Sequence, residues 1–168
     1  MNEGKRFETD FRDSLDNHVL LYRLPDAAQS FEKSSNLRFS RKNPFDYILW
    51  DSEKRVLYAL ELKTVGDKSI SFERTKNDKG KIHYHQIEGL KHWNIYNGTR
   101  CGFIIEFRRF QKTIFIDIDD FNSLILKTQK NSFSLDDLDK YEIKYVDIPC
   151  HLKRTRYKYD ITCLLSSE

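Results

Sequence analysis

The chain has 168 residues, a formal net charge of +3 and a hydrophobic fraction of 39%. This length fits one domain over residues 1–168, and 12 Phe and 9 Tyr supply enough apolar surface for a core, which excludes wholesale disorder. No apolar run is long enough to cross a bilayer and the charged start lacks a secretory pattern, so we expect a cytoplasmic protein with no membrane partner.

The first half of the chain predicts a helix, a strand and a long excursion. Apolar residues recur every four positions from Phe7 to Leu15, which predicts an amphipathic helix over 6–17, and a short strand follows over 19–23. Residues 24–43 lack periodicity and are rich in Pro, Ser, Asn and Arg. A long irregular segment of this kind indicates an exposed excursion, and such loops in compact domains usually have a function.

Two near-continuous apolar runs, 45–50 and 56–62, are joined by polar residues and predict a β-hairpin. Apolar residues occupy both faces of these strands, which is typical of strands packed between helices. A turn centred on Glu53 and Lys54 sets the register, so that each pair of facing residues has numbers adding to 107.

The second half of the chain alternates helices and strands. The predicted elements are a helix over 84–97, a hairpin of strands 101–107 and 113–118, a helix capped by Asp119 or Asp120, a short helix capped by Ser134 and a strand over 141–148. The complete order predicts an α/β fold in which a mixed central β-sheet is flanked by helices.

The cysteines Cys101, Cys150 and Cys163 are far apart and form no C-x-x-C pair. Their odd number and spacing predict buried thiols in a reducing compartment and argue against a structural zinc site.

Asp46, Glu61 and Lys63 lie inside the predicted buried hairpin, where unpaired charge is costly. In the predicted register Asp46 faces Glu61 across the ladder, and Glu61 shares a face with Lys63 because side chains alternate along a strand. Two opposed carboxylates repel each other unless a proton or cation lies between them, and oxygen ligands favour Mg²⁺ or Mn²⁺. An adjacent ammonium can orient water or stabilise charge on a phosphate. The set therefore predicts metal-dependent phosphodiester hydrolysis.

The alternative is a purely structural salt bridge between Lys63 and either Asp46 or Glu61 at the end of the hairpin. The tripeptide E-x-K has little weight alone, because it also occurs at Glu3 and Glu142.

The motif Pro44-Phe45-Asp46 followed by Glu61-Leu62-Lys63 resembles the P-D…(D/E)-x-K nuclease superfamily. More narrowly, the chain resembles the RecU-type Holliday junction resolvases of Gram-positive bacteria and their phages. The segments that extend this likeness are 4–8, Lys63-Thr64, His83-x-His85-Gln86-Ile87 and 156–160.

The resemblance implies a restriction-endonuclease-like core and a homodimer that nicks two opposing strands of a four-way DNA junction with Mg²⁺ or Mn²⁺. It implies that Asp46 and Glu61 hold the metal with the help of the Leu62 carbonyl, and that Lys63 positions the attacking water. It also makes residues 24–43 the counterpart of a stalk that contacts the junction centre.

The resemblance gives roles to two further polar residues. Glu8 becomes an additional metal-binding carboxylate from the first helix, and Gln86 becomes an accessory polar group of the catalytic site. Without the resemblance, Glu8 is an ordinary solvated glutamate and Gln86 a polar residue at a helix start.

Basic residues are concentrated before Asp46, after Lys63 and near the C-terminus, which leaves local basic surfaces despite the small net charge. The positions expected to contact DNA are Arg38, Arg41, Lys42, Lys76, Lys81, His85, Arg154, Arg156 and Lys158. Tyr157 and Tyr159 are either base-stacking residues or part of a half-buried strand.

Two other functions agree with the same residues. One is a restriction-like or repair nuclease that acts on duplex DNA, since a fold does not fix a substrate. The other is a non-catalytic DNA-binding accessory protein, which would bind DNA in a salt-sensitive manner without cutting it.

Overall fold

A six-stranded mixed sheet with helices on both faces organises the chain, in a computed structural model that describes residues 2–25 and 42–166. The helices and strands in chain order are α1 (Glu3–Arg12), β1 (Val19–Arg23), β2 (Tyr47–Asp51), β3 (Val56–Val65), β4 (Ser69–Ser71), α2 (Tyr84–Trp93), β5 (Thr99–Phe107), β6 (Lys112–Asp117), α3 (Ile118–Lys127), β7 (Ser132–Ser134), α4 (Leu135–Lys140), β8 (Val146–Asp147), β9 (Cys150–Lys153), β10 (Arg156–Tyr159) and α5 (Thr162–Ser166).

The strand order in the main sheet is β1-β2-β3-β5-β6-β8. β3 and β5 are parallel and are connected through α2, whereas the other neighbouring pairs are antiparallel. A mixed sheet needs such a crossover, because parallel neighbours cannot be joined by a tight turn. The predicted α/β class with a mixed central sheet is confirmed.

The β2–β3 hairpin has the predicted register. Tyr47 pairs with Leu60 and Asp51 pairs with Val56, so the numbers of facing residues add to 107. The buried Asp51 carboxylate accepts hydrogen bonds from the backbone N–H groups of the two residues that follow Ser52, at 3.0 and 3.2 Å. These bonds hold the tight turn in place and so fix the register along both strands.

β3 buries both of its faces, as its apolar composition predicts. Tyr58 and Leu60 pack in one cluster with α1 and α5, whereas Ala59 and Val65 pack in another with α2 and α3. The alternation of side chains along the strand therefore places Glu61 and Lys63 on the α2 side of the sheet.

A cluster of phenylalanines joins α3 to the sheet on that side. Phe121 of α3 lies with its ring centroid 4.7 Å from that of Phe103 and 5.6 Å from that of Phe72. Edge and tilted contacts between aromatic rings add to the stabilisation from apolar burial. The high phenylalanine content thus anchors the helical layer that covers β3 and β5.

Two helices are shorter than their periodicity predicts. α1 ends at Arg12 rather than at residue 17, because the buried Ser14 hydroxyl bonds the Asp10 carbonyl and accepts the Tyr159 N–H from the distant β10. α2 ends at Trp93 rather than at residue 97, where the Thr99 hydroxyl donates to its last carbonyl at 2.9 Å.

The C-terminal half differs from the predictions in two details. Asp117, not Asp119 or Asp120, caps α3, since its side chain accepts the Asp119 N–H. The strand predicted over 141–148 is only Val146–Asp147, because Glu142 has a positive φ of 51° that ends α4 in a turn.

The prediction of three buried thiols is wrong in part. Cys101 is buried in β5, but Cys150 is half-buried and Cys163 is exposed on α5. All three are free thiols. Cys163 lies in the short terminal helix, whose apolar contacts are made by Leu164 and Leu165 instead.

Within residues 2–25 and 42–166, no helix has both the length and the apolar character needed to cross a membrane.

The N-cap of α4 provides a test of the local structure. The Ser134 side chain accepts the Asp137 N–H, and Asp137 in turn accepts the Ser134 N–H at 2.9 Å. We expect Ser134→Ala to lower the free energy of unfolding by about 1 kcal/mol in a urea titration. The matched change Ser123→Ala, inside α3, should be neutral or stabilising, and an equal loss in both variants would contradict the capping role.

Candidate active site

Asp46, Glu61 and Lys63 converge on the α2 side of the sheet. The Lys63 ammonium lies 2.8 Å from Glu61 Oε1, and both side chains project from β3. The ladder places Tyr47 opposite Leu60, so Asp46, the residue before β2, comes next to Glu61. The sequence prediction that these charges meet at one end of the hairpin agrees with the structure.

Glu61 is a buried carboxylate with one unsatisfied oxygen. Only 1% of the residue is exposed, and Oε2 has no hydrogen-bond partner within the described residues. Burial raises the pKa of Glu61 to about 8, the Lys63 ammonium opposes this increase and the Asp46 carboxylate adds to it. A buried acceptor without a partner is costly, and either a proton between Glu61 and Asp46, which the raised pKa favours, or a bound cation would remove that cost.

Gln86 fixes the other oxygen of Glu61. Its Nε2 group donates to Glu61 Oε1, while its own Oε1 accepts the His83 backbone N–H at 2.9 Å. His83 is the N-cap of α2, so the helix start holds the amide in one orientation. With Lys63 and Gln86 both on Oε1, Oε2 is the oxygen left for a ligand.

The carboxylate oxygens of Asp46 and Glu61 are suitable ligands for a hard divalent cation. Across residues 2–25 and 42–166, no group of three or more His, Cys, Asp and Glu residues is arranged to hold a metal. Mg²⁺ is nevertheless bound in many enzymes by only one or two carboxylates, with water and substrate phosphates as the other ligands. Asp46 and the orphaned Oε2 of Glu61 match that requirement.

Glu8 lies on α1, and its carboxylate contacts residues of β1 and β2 on the α1 side of the sheet. The Tyr47 hydroxyl donates to Glu8 Oε2 at 2.7 Å, and the Arg23 guanidinium lies 3.6 Å from the same oxygen. Burial and the Glu8 carboxylate raise the pKa of Tyr47. The structure therefore joins Glu8 to the start of β2, beside Asp46 in sequence, and its role as a metal ligand stays a prediction.

Three of the predicted DNA contacts, Lys42, Lys76 and His85, line one groove beside the start of α2. Lys81 lies at the end of β3, where its ammonium donates to the Thr64 carbonyl at 3.2 Å. These four residues come from separate segments of the sequence but lie on the side of the molecule that carries Lys63. Arg38 and Arg41, with most of segment 24–43, lie outside the described residues.

The C-terminal basic residues form a separate surface on the β9–β10 hairpin. Arg154 is at its turn with a φ of 60°, and Lys158 is exposed on β10. Arg156 is bound to Asp10 of α1 at 2.8 Å, which attaches the hairpin to the α1 side of the sheet. The structure thus does not bring Arg154, Arg156 and Lys158 together with the groove, and their contact with DNA remains a prediction.

Of the two interpretations of the C-terminal tyrosines, the half-buried strand agrees with the structure. Tyr159 is 1% exposed and its hydroxyl donates to Glu106 Oε1 at 2.9 Å, while its ring packs on Phe7. A buried ring cannot stack on a nucleic-acid base.

Glu73 also lines the groove beside the start of α2, and the sequence did not predict its position there. Its carboxylate binds the ring of His83 at 2.8 Å and the Tyr84 backbone N–H at 2.8 Å. The contact depends on closure of the loop between Phe72 and Ile82, which form an isolated bridge. No local pattern marks a contact of this kind, although a glutamate in a basic loop followed by histidines is a weak signal.

The position of Gln86 leads to a prediction about activity. Gln86→Ala removes the donor that fixes Glu61, and outer partners of metal ligands are typically worth about 10–100-fold in activity or metal affinity. We expect cleavage of DNA to slow by about that factor, measured by single-turnover kinetics. The exposed Gln129→Ala should leave the rate unchanged, and an unchanged rate in Gln86→Ala would contradict the orienting role.

Comparison with known proteins gives likenesses to solved structures but no sequence match. No protein-family model matches the chain, and no curated protein matches it. The chain is similar in structure to Hjc of Archaeoglobus fulgidus, a Holliday junction resolvase from an archaeal hyperthermophile, with 12% sequence identity, a TM-score of 0.49, and coverage of 83% of this chain and 93% of that chain. At this identity and TM-score, the likeness assigns no role to any residue described above.

Proposed function

We propose that the protein is a divalent-metal-dependent endodeoxyribonuclease that resolves four-way DNA junctions as a homodimer, in the cytoplasm of a bacterial host. The observation that supports this most is the buried, unsatisfied Oε2 of Glu61 next to Asp46 and Lys63. A carboxylate that is buried only to form a salt bridge is expected to have both oxygens hydrogen-bonded. A metal ligand, in contrast, must keep one oxygen available for the ion.

Asp46 and Glu61 hold the metal ion, with the Leu62 carbonyl as a further candidate. Glu8, whose carboxylate contacts residues of β1 and β2 on the α1 side of the sheet, is a candidate only if it leaves those partners. A bound Mg²⁺ or Mn²⁺ supplies Lewis-acid polarisation of the scissile phosphate and a more acidic water. Gln86 keeps Glu61 oriented so that Oε2 is available. The protein thus presents a prepared set of oxygen donors without rearranging the hairpin.

Lys63 orients the attacking water and stabilises charge that develops on the phosphate. An ammonium has three donors, and Glu61 Oε1 uses one of them at 2.8 Å. The side chain is 16% exposed, so its remaining donors can reach a substrate at the surface. The interaction between this ammonium and the phosphate becomes stronger as the transition state gains negative charge.

A four-way junction is the proposed substrate because the sequence motifs resemble a resolvase family in most parts of the chain. A junction needs two symmetric cuts, which a twofold dimer supplies. The basic residues of the groove and of the β9–β10 hairpin would contact the phosphate backbone of different arms. Segment 24–43 is proposed to contact the junction centre.

Metal dependence is tested with a labelled synthetic junction incubated with Mg²⁺, with Mn²⁺ or with EDTA. We expect paired nicks in two opposing strands with either metal and none with EDTA. Binding of the junction without any cutting in either metal would contradict the nuclease and favour the DNA-binding accessory protein.

A further inference from the structure

The groove beside the start of α2 is the strongest feature that the catalytic residues leave unexplained. Four of its side chains are lysines or histidines, namely Lys42, Lys76, His83 and His85. Gln86, the residue after His85, contacts Glu61. The groove therefore opens next to the candidate metal centre.

Glu73 holds His83 in a fixed orientation in this groove. Glu73 Oε1 lies 2.8 Å from His83 Nδ1, and its two oxygens also accept the backbone N–H groups of Gly80 at 3.3 Å and Tyr84 at 2.8 Å. Burial raises the pKa of Glu73, but the Tyr84 N–H and the His83 ring outweigh it and lower the pKa. An ionised carboxylate only accepts, so the proton of His83 lies on Nδ1 and Nε2 is left for a ligand.

The charges of the groove favour an anion. Glu88 is paired with Lys91 at 2.9 Å, and Glu73 is hydrogen-bonded to His83, which leaves two lysines against one unbalanced carboxylate when His83 is neutral. In the described part of the chain, Lys42 and Lys76 form no ion pair. The unbalanced charge is positive, as expected for a site that receives phosphate.

The second histidine extends this surface. The rings of His83 and His85 are stacked, with centroids 5.5 Å apart and planes at 15°. Burial and the nearby Lys42 lower the pKa of His85, so an approaching anion would favour its charged form. Two stacked imidazoles therefore present adjacent ring nitrogens to one ligand.

We propose that His83 and His85, with Lys42 and Lys76, form a binding site for a phosphodiester of the nucleic-acid strand, adjacent to the one that is hydrolysed. His83 donates from Nε2 to a phosphate oxygen, and Glu73 is a positioning residue that does not touch the strand. The inference rests on the proposed function only in taking nucleic acid as the ligand. It adds His83 and Glu73 to the interface and specifies a phosphate contact rather than a base contact.

Binding at this site takes up a proton. With Nδ1–H held by Glu73, neutral His83 offers only an acceptor at Nε2, and protonation turns that nitrogen into a donor. The charged groups that face His83 are Glu73, Lys42, Lys76, His85 and Glu88. Because only protonated His83 can donate from Nε2 to a phosphate oxygen, the affinity for DNA should be higher at pH 6.0 than at pH 8.5.

The test is the dissociation constant of a fluorescent four-way junction in EDTA, measured at pH 6.0 and pH 8.5 and over a range of salt. At pH 6.0 we expect His83→Gln to bind about tenfold more weakly than the unmodified protein, as for loss of a charge-assisted hydrogen bond. The salt slope should fall by about one. At pH 8.5 the two proteins should agree within about twofold.

Glu73→Gln should weaken binding of the junction at pH 6.0, because the amide no longer stabilises the charged imidazole of His83. Lys76→Gln, at an exposed position, should lower the salt slope by about one at both pH values. His92→Gln is the matched control, an exposed histidine in the last turn of α2 that lies outside the groove.

Equal affinity of His83→Gln and His92→Gln at pH 6.0, or a loss in His83→Gln that is the same at both pH values, would overturn the proposal. The assay contains no metal and measures no cleavage. A junction that binds through His83 but is never cut with Mg²⁺ or Mn²⁺ would reject the nuclease while supporting the phosphate site.

Discussion

Replacing Asp46 with Asn is expected to slow cleavage of a four-way junction by about 10³-fold or more, which corresponds to about 4 kcal/mol of transition-state stabilisation. Asn keeps the size of the side chain and removes the negative charge that a divalent cation needs. In the proposed site Asp46 contacts the DNA phosphate only through the metal ion. The dissociation constant for the junction, measured without metal, should therefore change little. Single-turnover kinetics and a binding titration in EDTA measure the two quantities.

Asp16→Asn is the control for this substitution, since Asp16 is exposed in the loop that precedes β1. It should cleave at the unmodified rate. Cleavage by Asp46→Asn at more than about a tenth of that rate would be too fast for the loss of a metal ligand. A parallel loss of junction binding would instead indicate that Asp46 supports the fold or the DNA interface.

Mn²⁺ is expected to raise the melting temperature of the unmodified protein. A ligand that binds only the folded state stabilises it by about 2.7 kcal/mol at 100 times its dissociation constant. For a protein of this size, that is an increase of about 5–10 °C. The physical cause is the buried Oε2 of Glu61, which gains a partner when the cation binds.

Asp46→Asn and Glu61→Gln should both abolish this increase in differential scanning fluorimetry, and Asp16→Asn should retain it. The measurement is independent of cleavage, so it tests the metal site even if the substrate is different. An increase of the same size in Asp46→Asn and Glu61→Gln would show that Mn²⁺ binds elsewhere.

The part of the site that was predictable from sequence depends on one local hairpin. Asp46, Glu61 and Lys63 are positioned by a short polar turn whose register follows from residues close together in the chain. Alternation along a strand then fixes the face of each side chain. The positions of these three residues could therefore be predicted without knowledge of contacts between distant segments.

The part that was not predictable comes from contacts between distant segments. Ser14 ends α1 early because it bonds Tyr159, and Glu73 reaches His83 only after the loop that follows β4 closes. Neither contact leaves a periodic pattern in the sequence. Propensity and periodicity describe one element at a time, so helix ends and loop-borne partners are the features that tertiary contacts decide.

Glu8 shows the same limit within the site. Its sequence position relative to Phe7 places it beside the apolar stripe of α1, but the residues that bind it, Tyr47 and Arg23, come from two strands. The position of the Glu8 carboxylate relative to the metal site is therefore decided by contacts with β1 and β2 and not by the periodicity of α1. Glu8→Gln in the Mn²⁺ melting assay would measure its share of the stabilisation.

The most direct test of the proposed function is the ratio of cleavage rates for a four-way junction and for a linear duplex with the sequence of one of its arms. Both substrates are incubated with the unmodified protein in Mg²⁺ at equal concentration. We predict symmetric nicks in the junction and a duplex rate at least about 100-fold lower, equivalent to about 2.7 kcal/mol of discrimination. Equal cleavage of the two substrates would contradict a junction resolvase and support a nuclease that acts on duplex DNA.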